Sequence, residues 1–320
     1  MKISTVPQFH KRPRGVALLV ALLVVALAAV LIAALLDRGE LTAARTRNAL
    51  RLSQAEAYAQ GLEAYAAHVL ERDLADGSGN DTAADIWAVP LPPTPVPGGE
   101  ISATMGDLDG RFNLNNLSPA YPQNAVWRGK FVRLLGALKL DPNLADAVRE
   151  WMSNDPAGAT DAYYLAQPVP YRSSKNIFFH ISELRLVKGV DGDVYARLAP
   201  YVSALPPGTP INVNTASVPV LMTLYPDMTQ QMAQALWQEG HASYQLPLAA
   251  ALQQIVPAVQ IDCGSNPISA CYGVSSSYFV ARGRIVLDGL PFTFFSLIER
   301  GTGPTSGGIR VIQRSRGADG

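Results

Sequence analysis

Charge is scarce in this chain: Asp, Glu, Lys and Arg make up 16% of its 320 residues, against about 25% in soluble domains. The 26 basic and 26 acidic residues cancel, which argues against a nucleic-acid binder held by phosphate contacts. Two cysteines are too few for a disulfide-dense scaffold or a Cys-rich zinc domain. No H-E-x-x-H, G-x-S-x-G or P-loop pattern occurs, so the common signatures of metalloproteases, serine hydrolases and nucleotide-binding loops are missing. With 48% apolar residues the chain is not a disordered polyampholyte.

Much of the low charge has a local cause. Val16–Leu36 is 21 residues without a charge, about 30 Å as a helix, which matches the hydrocarbon core of a bilayer. Lys2, Lys11, Arg12 and Arg14 precede it with no acid, and Asp37, Arg38 and Glu40 follow. That bias predicts a single-pass protein with a cytoplasmic N-terminus and the bulk outside. The run is too long for an ordinary secretory signal, and its small-residue landmark, Gly15, lies in front of it rather than behind.

The helix is expected to continue to about Leu74. Residues 41–74 lack proline and are rich in strong helix formers. Leu52, Ala55, Ala59, Leu62, Ala66 and Val69 form one stripe at 3-4 spacing, and Asp76-Gly77-Ser78-Gly79 stops it. Five prolines between Pro90 and Pro97 then predict an extended linker without sheet pairing. Glu100–Met105 reads as a strand and Asp107–Gly110 as a turn. An EF-hand loop at that turn fails, because its fifth and twelfth positions are Arg111 and Ser118.

From Phe112 to about Pro257 the pattern is mostly helical, with a partial internal echo. Leu135, Leu138, Asp141, Ala147 and Trp151 recur as Leu221, Leu224, Asp227, Ala233 and Trp237. Each copy follows an alternating signature, Phe112-Asn113-Leu114-Asn115-Asn116 or Ile211-Asn212-Val213-Asn214-Thr215. Asn at such spacing supports a tight turn and caps a following helix. The second signature also resembles the opening of helix-hairpin-helix modules, but residues 217–239 contain no Lys or Arg to hold a phosphate. Tyr278–Leu287, Pro291–Glu299 and Ile309–Gln313 read as strands. Cys263 and Cys271 bracket a short segment, and outside the cytoplasm a disulfide between them is the default. His10, His68, His180 and His241 pair with no visible nucleophile and read as structural.

Arg14-Gly15-Val16 before the apolar run resembles the class III leader of type IV pilins and pseudopilins, which implies cleavage by prepilin peptidase between Gly15 and Val16 and methylation of the new terminus. The cut would remove four basic residues and leave 22 basic against 26 acidic. One position departs from the pattern: where most pilins carry Glu, this chain has Val20. A subunit lacking that carboxylate cannot offer the usual partner to a neighbour's amino terminus, which suits the end of a fibre.

The leader, Val20, Gly110–Leu117, Gly158–Val190, Leu198–Pro206 and Ile211–Leu221 together resemble the minor pseudopilin K family of type II secretion systems. The resemblance implies an α+β fold, with a pilin-like long N-terminal helix packed on a small antiparallel sheet and interrupted by a large, mostly helical inserted domain. The expected division is a leader at 1–15, a transmembrane half-helix at 16–36, and the rest of the helix, linker and first strand at 37–111. A helical insert follows at 112–257, in units of about 112–205 and 206–257, and the C-terminal strands occupy 258–320. The family sits in the inner membrane, with its globular part periplasmic, at the tip of the pseudopilus. Its implied partners are minor pseudopilins I and J, the major pseudopilin and the inner-membrane assembly platform. It is implied to start the fibre that exports folded proteins and to be no enzyme. Known members can bind calcium, and here Asp155 and Asp161 are the candidate ligands. Ser153 and Thr160 stand where relatives often have carboxylates, which would weaken a site needing six to eight oxygens. The other readings are a minor pilin of a type IV pilus and a membrane-anchored exported enzyme.

If the leader is cut, mass spectrometry of the protein from a host with prepilin peptidase will find Val16 as its first residue, and Gly15→Ala will leave the chain uncut. An uncut wild-type chain in such a host would contradict the assignment.

Overall fold

The computed structural model describes residues 14–76, 79–154, 161–242, 263–264, 267–301 and 308–317. The chain divides into two compact units, residues 1–56 and 57–320. In the first, the described residues form the opening part of helix α1 (Arg14–Asp76). Val16–Leu36 is exposed on every face of that helix, so nothing among the described residues shelters it from water.

In the second unit the end of α1 lies on an antiparallel sheet. Ala59, Leu62, Ala66, Val69 and Leu70 are buried, the stripe expected from the 3-4 spacing. Burying them is what stabilises this stretch, because an amphipathic face rather than propensity supplies most helical stability in proteins. Ala66, Val69 and Leu70 join a small core with Trp87, Phe279 and Ile298. The Trp87 and Phe279 rings meet edge to face at 5.2 Å, the favourable geometry for aromatic quadrupoles. The approach is close at Gly283, where an added Cβ would come 2.9 Å from Leu62 Cδ1. Alongside this apolar seam, Arg314 donates to both oxygens of Glu63, with Nε and Nη2 each 2.8 Å from one of them.

The sheet has five strands in the order β1 (Leu91–Val96), β2 (Gly99–Asp107), β7 (Tyr278–Leu287), β8 (Leu290–Arg300) and β9 (Ile309–Arg316). All neighbours are antiparallel. The proline-rich stretch is therefore not an unpaired linker. Thr94 faces Ile101, Pro95 faces Glu100 and Val96 faces Gly99, with an irregularity between Leu91 and Thr94. A strand at a sheet edge needs only one side of its backbone for the ladder, so prolines are tolerated there. They also leave that edge short of donors for unwanted pairing.

Between β2 and β7 the chain makes its helical excursion. It contains β3 (Phe112–Asn113), α2 (Asn124–Ala137), α3 (Leu144–Met152), α4 (Asp161–Leu165), α5 (Gly192–Leu198), β4 (Val202–Ser203), β5 (Ile211–Asn212), α6 (Val218–Leu221), α7 (Gln230–Ala242) and β6 (Tyr272–Gly273). One large core runs through it, centred on Phe112, Trp127, Phe131 and Leu135. The internal echo has a backbone counterpart. β3 pairs in parallel with β4, and β5 with β6, so each Asn signature opens a unit that a two-residue parallel bridge closes. This moves the boundary drawn at 257. Cys263, Cys271 and Tyr272 belong to the helical core, because the strand that closes the second unit lies at 272–273. The pilin-like strands resume only at Tyr278.

Two glycines separate close approach from mere propensity. A Cβ on Gly110 would fall 2.9 Å from the backbone carbonyl of Thr215, whereas Gly136, exposed in α2, has nothing within 4 Å. In denaturant titrations of the full chain in detergent, Gly110→Ala should lose about 1–3 kcal/mol. Gly136→Ala should gain about 0.5–1 kcal/mol from helix propensity. Equal effects at the two positions would contradict the packing described.

Candidate functional site

The residues that join the excursion to the sheet are polar, buried and connected. The chain leaves the sheet after Asp107 and re-enters at Tyr278, where the Leu108 amide donates to the Tyr278 carbonyl at 3.0 Å. Asp107 folds the exit turn back on itself: its carboxylate accepts from the amides of Asp109 at 2.8 Å and Gly110 at 3.0 Å, and from the Thr215 hydroxyl. Asp109 accepts from the Ser277 amide at 2.7 Å, and its carbonyl from the Asn212 amide at 2.9 Å.

A second layer forms around Arg300, at the end of β8 and 2% exposed. Its guanidinium pairs with Asp73 at 2.8 Å and with Asp81. It also donates to the Ser276 carbonyl at 2.7 Å and lies 4.8 Å from the Phe279 ring centre. Asp81 in turn accepts from the Ser276 amide, and its carbonyl from the Asn212 side chain at 3.1 Å. One arginine thus ties together the last turn of α1, the loop after it, the end of β8 and the segment entering β7. Asp73, Asp81 and Asp85 bring carboxylate oxygens within 4.8 Å of one another, but Arg300 fills the charge role there, and Asp85 accepts from both the amide and the hydroxyl of Thr82.

The Asn signatures work inside the insert in the same manner. Asn113 Oδ1 accepts from the Asn115 amide at 3.1 Å and the Leu205 amide at 3.0 Å. Asn115 spans three chain segments, donating to Phe178 O and Leu205 O at 2.9 Å each and accepting from the Phe178 amide at 2.7 Å. Asn212 Oδ1 accepts from the Asn214 amide at 3.0 Å, repeating the first turn. Buried amides of this kind are satisfied only if every partner is in place, so they fix the arrangement as well as stabilise it. The alternation was visible in the sequence; the cross-links to Phe178 and Leu205, 63 to 92 positions away, were not.

The processing pair Gly15 and Val16 lies within the first turn of α1 as described. Residues 1–13, the body of the expected leader, lie outside the described residues. Among the described residues one helix, Val16–Ala75, is long and apolar enough to cross a membrane. Cys263 and Cys271 are joined, with Cα atoms 6.0 Å apart. His180 caps a short helical turn at 181–186: its ring nitrogen accepts from the Ser182 amide while Glu183 accepts from the His180 amide.

The calcium expectation meets a specific obstacle. Asp155 lies outside the described residues. Asp161 is buried, and both its oxygens are already engaged. Oδ1 accepts from the amide and hydroxyl of Ser173 at 3.0 and 2.8 Å. Oδ2 pairs with Lys175 at 2.9 Å and Arg172 at 3.4 Å. Lys175, and then Ser173, hold the carboxyl down at about 2. An ammonium and a guanidinium occupy the position a metal ion would need, so Asp161 as arranged does not fit a calcium ligand. In the Asp107–Gly110 turn the Asp107 carboxylate is likewise engaged by protein donors, while Asp109 Oδ1 is buried without a partner among the described residues.

The comparisons with known proteins agree with one another. Residues 110–207 and 211–244 each match family models described as type II secretion system protein K. The chain is 35% identical to type II secretion system protein K of Pseudomonas aeruginosa, with 96% of this chain and 93% of that protein covered. It is 36% identical to the protein of the same name from Pectobacterium carotovorum, covering 96% and 98%. Among solved structures, a chain of the GspK-GspI-GspJ complex from the enterotoxigenic Escherichia coli type 2 secretion system superposes with a TM-score of 0.71 at 25% identity. That match covers 86% of this chain and all of the other.

The acids of the junction give it an unusual pH response. Burial, then Asp81 and Asp85, push Asp73 up to about 6 despite Arg300. Burial also pushes Asp107 up to about 6, and burial with Asp107 drives Asp109 upward. These folded values exceed the ~3.9 of an unfolded Asp. The folded chain therefore takes up protons first, and the cost of holding these carboxylates ionised is relieved as pH falls through about 6 and is fully gone near pH 4. Asp161 and Asp146 are shifted downward and act oppositely, losing their contribution below about pH 4. Thermal melts should thus show a midpoint that rises from about pH 7.5 to 5 and falls below about 4. Asp109→Asn should flatten the rise; a midpoint that falls steadily from pH 7.5 would contradict the arrangement.

Proposed function

Because the chain belongs to the type II secretion system protein K family, we propose that it is the minor pseudopilin at the tip of a type II secretion pseudopilus. In this reading it initiates the fibre and so supports export of folded proteins across the outer membrane. The carrying observation is the fusion, in one chain, of an apolar helix exposed on all sides to a five-stranded sheet whose β2–β7 pairing encloses a large helical excursion. The exposed helix needs lipid, or the matching helices of other subunits, to remove its apolar surface from water. A major fibre subunit must stack on neighbours at both ends, and a bulky excursion obstructs one of them. A terminal subunit has no such requirement.

The Lys/Arg bias before Val16 supports an inner-membrane, single-pass placement with the N-terminus cytoplasmic and the sheet and excursion periplasmic. Val20, in place of an acid near the processed terminus, supports a position with no subunit beyond it. Prepilin peptidase is the processing enzyme in this reading, and the major pseudopilin and the inner-membrane assembly platform join I and J as partners. The role is structural rather than catalytic, in keeping with relatives named as secretion components. Cys263 and Cys271 would be oxidised in that compartment. Since Asp161 is neutralised by Lys175 and Arg172, the fold around it is proposed to hold without calcium.

Co-expression with its cognate I and J pseudopilins should yield a three-protein complex that survives detergent extraction and gel filtration. The same experiment with minor pilins of a type IV pilus should yield no complex. Recovery with the latter and not with I and J would overturn the assignment.

A further inference from the structure

The two edges of the five-stranded sheet are not alike. β1 carries Pro92, Pro93 and Pro95, and proline has no amide to donate, so that edge takes up little further pairing. β9 has neither proline nor glycine in its eight residues. It pairs with β8 alone, and among the described residues no backbone hydrogen bond from another element reaches residues 309–315. Amides and carbonyls of that stretch that do not meet β8 are aimed outward, as in any antiparallel ladder. They form a row of directed donors and acceptors on one side of the sheet.

The side chains beside this edge decide what it rejects. The three strands that end the chain, residues 278–316, carry six arginines against Asp288 and Glu299. In β9 itself Arg310 and Arg314 flank Ile312, which is 41% exposed and which the register with β8 passes over. Arg310 and Arg314 hold Glu299 and Glu63, yet their side chains remain 67% and 63% exposed, so their charge is still felt beside the edge. Two copies paired antiparallel about Ile312 would set Arg310 of one against Arg314 of the other. About Gln313, Arg310 would meet Arg316. Like charges directly opposite destabilise a ladder. Charge on an edge is a device against self-pairing, and a strand of opposite charge escapes it.

We propose that the outer edge of β9 is a strand-addition site for an extended acidic segment of another protein. Main-chain hydrogen bonds to residues 309–315 supply the affinity, the basic field of the strands sets the sign, and Ile312 favours an apolar side chain among the acids. Neither Arg310 nor Arg314 has to release its own acid. The site depends on the sheet alone, so it survives or fails whatever the outcome of co-purification with I and J.

The test is fluorescence anisotropy on the full chain in detergent, using a fluorescein-labelled peptide that alternates valine with glutamate. A second peptide carries lysine in place of glutamate, and a third keeps the acidic sequence but has every other amide N-methylated. The acidic peptide should bind at low salt and weaken as salt is raised. The lysine peptide should not bind, and N-methylation should weaken binding about tenfold or more, because it removes main-chain donors without touching a side chain. Hydrogen exchange read by mass spectrometry should slow within 309–316 when the acidic peptide is added. Ile312→Pro should lower affinity to a similar extent, with a circular dichroism melt to show it folded; if it does not fold, the N-methylated peptide decides. Equal binding of the lysine peptide, unchanged binding of the N-methylated one, or no slowing within 309–316 would each overturn the proposal. So would slowing there that grows with protein concentration in the absence of peptide, since the occupant would then be a second copy.

Discussion

Everything in the second unit depends on one closure: β2 and β7 must lie side by side although the whole helical excursion separates them in sequence. Bringing distant segments together costs chain entropy before any contact repays it. The ladder alone repays part of that cost, through nine paired positions from Gly99–Leu287 to Asp107–Phe279. The rest comes from the buried polar junction at its open end. Asp107, Asp109, Asp81 and Arg300 bind the exit turn, the re-entry segment and the end of α1 into one network. An apolar junction of the same size would hold the ends together with less directional preference. Here Asp107, Asp81 and Arg300 each meet specific partners, and a shifted register would leave buried charges unpaired, which is expensive.

The same network explains why the molecule tolerates so many buried acids at its joint. Arg300 is the buried cation that offsets Asp73 and Asp81, and backbone amides of the turn neutralise part of Asp107 and Asp109. Burial first, and repulsion between neighbouring acids second, appear as the upward displacement of Asp73, Asp107 and Asp109. In the insert the opposite solution is used: Lys175, and then Ser173, hold the Asp161 carboxyl down. The Asp161 site shows a loop closed by the chain's own cations in a place where the family resemblance suggested calcium.

How much of this was legible in the sequence follows from the range of each interaction. The apolar run, the 3-4 stripe of Ala59, Leu62, Ala66 and Val69, and the three C-terminal strands depend on local periodicity and could be read directly. The Asn signatures could be read as turns, because an Asn side chain bonding the amide two residues on is a local event. What Asn115 does for Phe178 and Leu205, and what Arg300 does for Asp73 and Asp81, depends on which segments the topology brings together, and no local pattern encodes it. The edge strand β1 was missed because proline propensity was weighed without its position: the same prolines that forbid a central strand are acceptable where only one side of the backbone is paired. The boundary at 257 was misplaced because the closing strand β6 is two residues long and carries no periodic signal.

The central claim is that a membrane-born helix and its sheet carry an excursion that ends a fibre. It is tested most directly by placing an electron-dense or antibody label in the exposed segment near Gln167 and imaging assembled pseudopili. The account predicts one label per fibre, at one end. Labels repeated along the fibre shaft would contradict it.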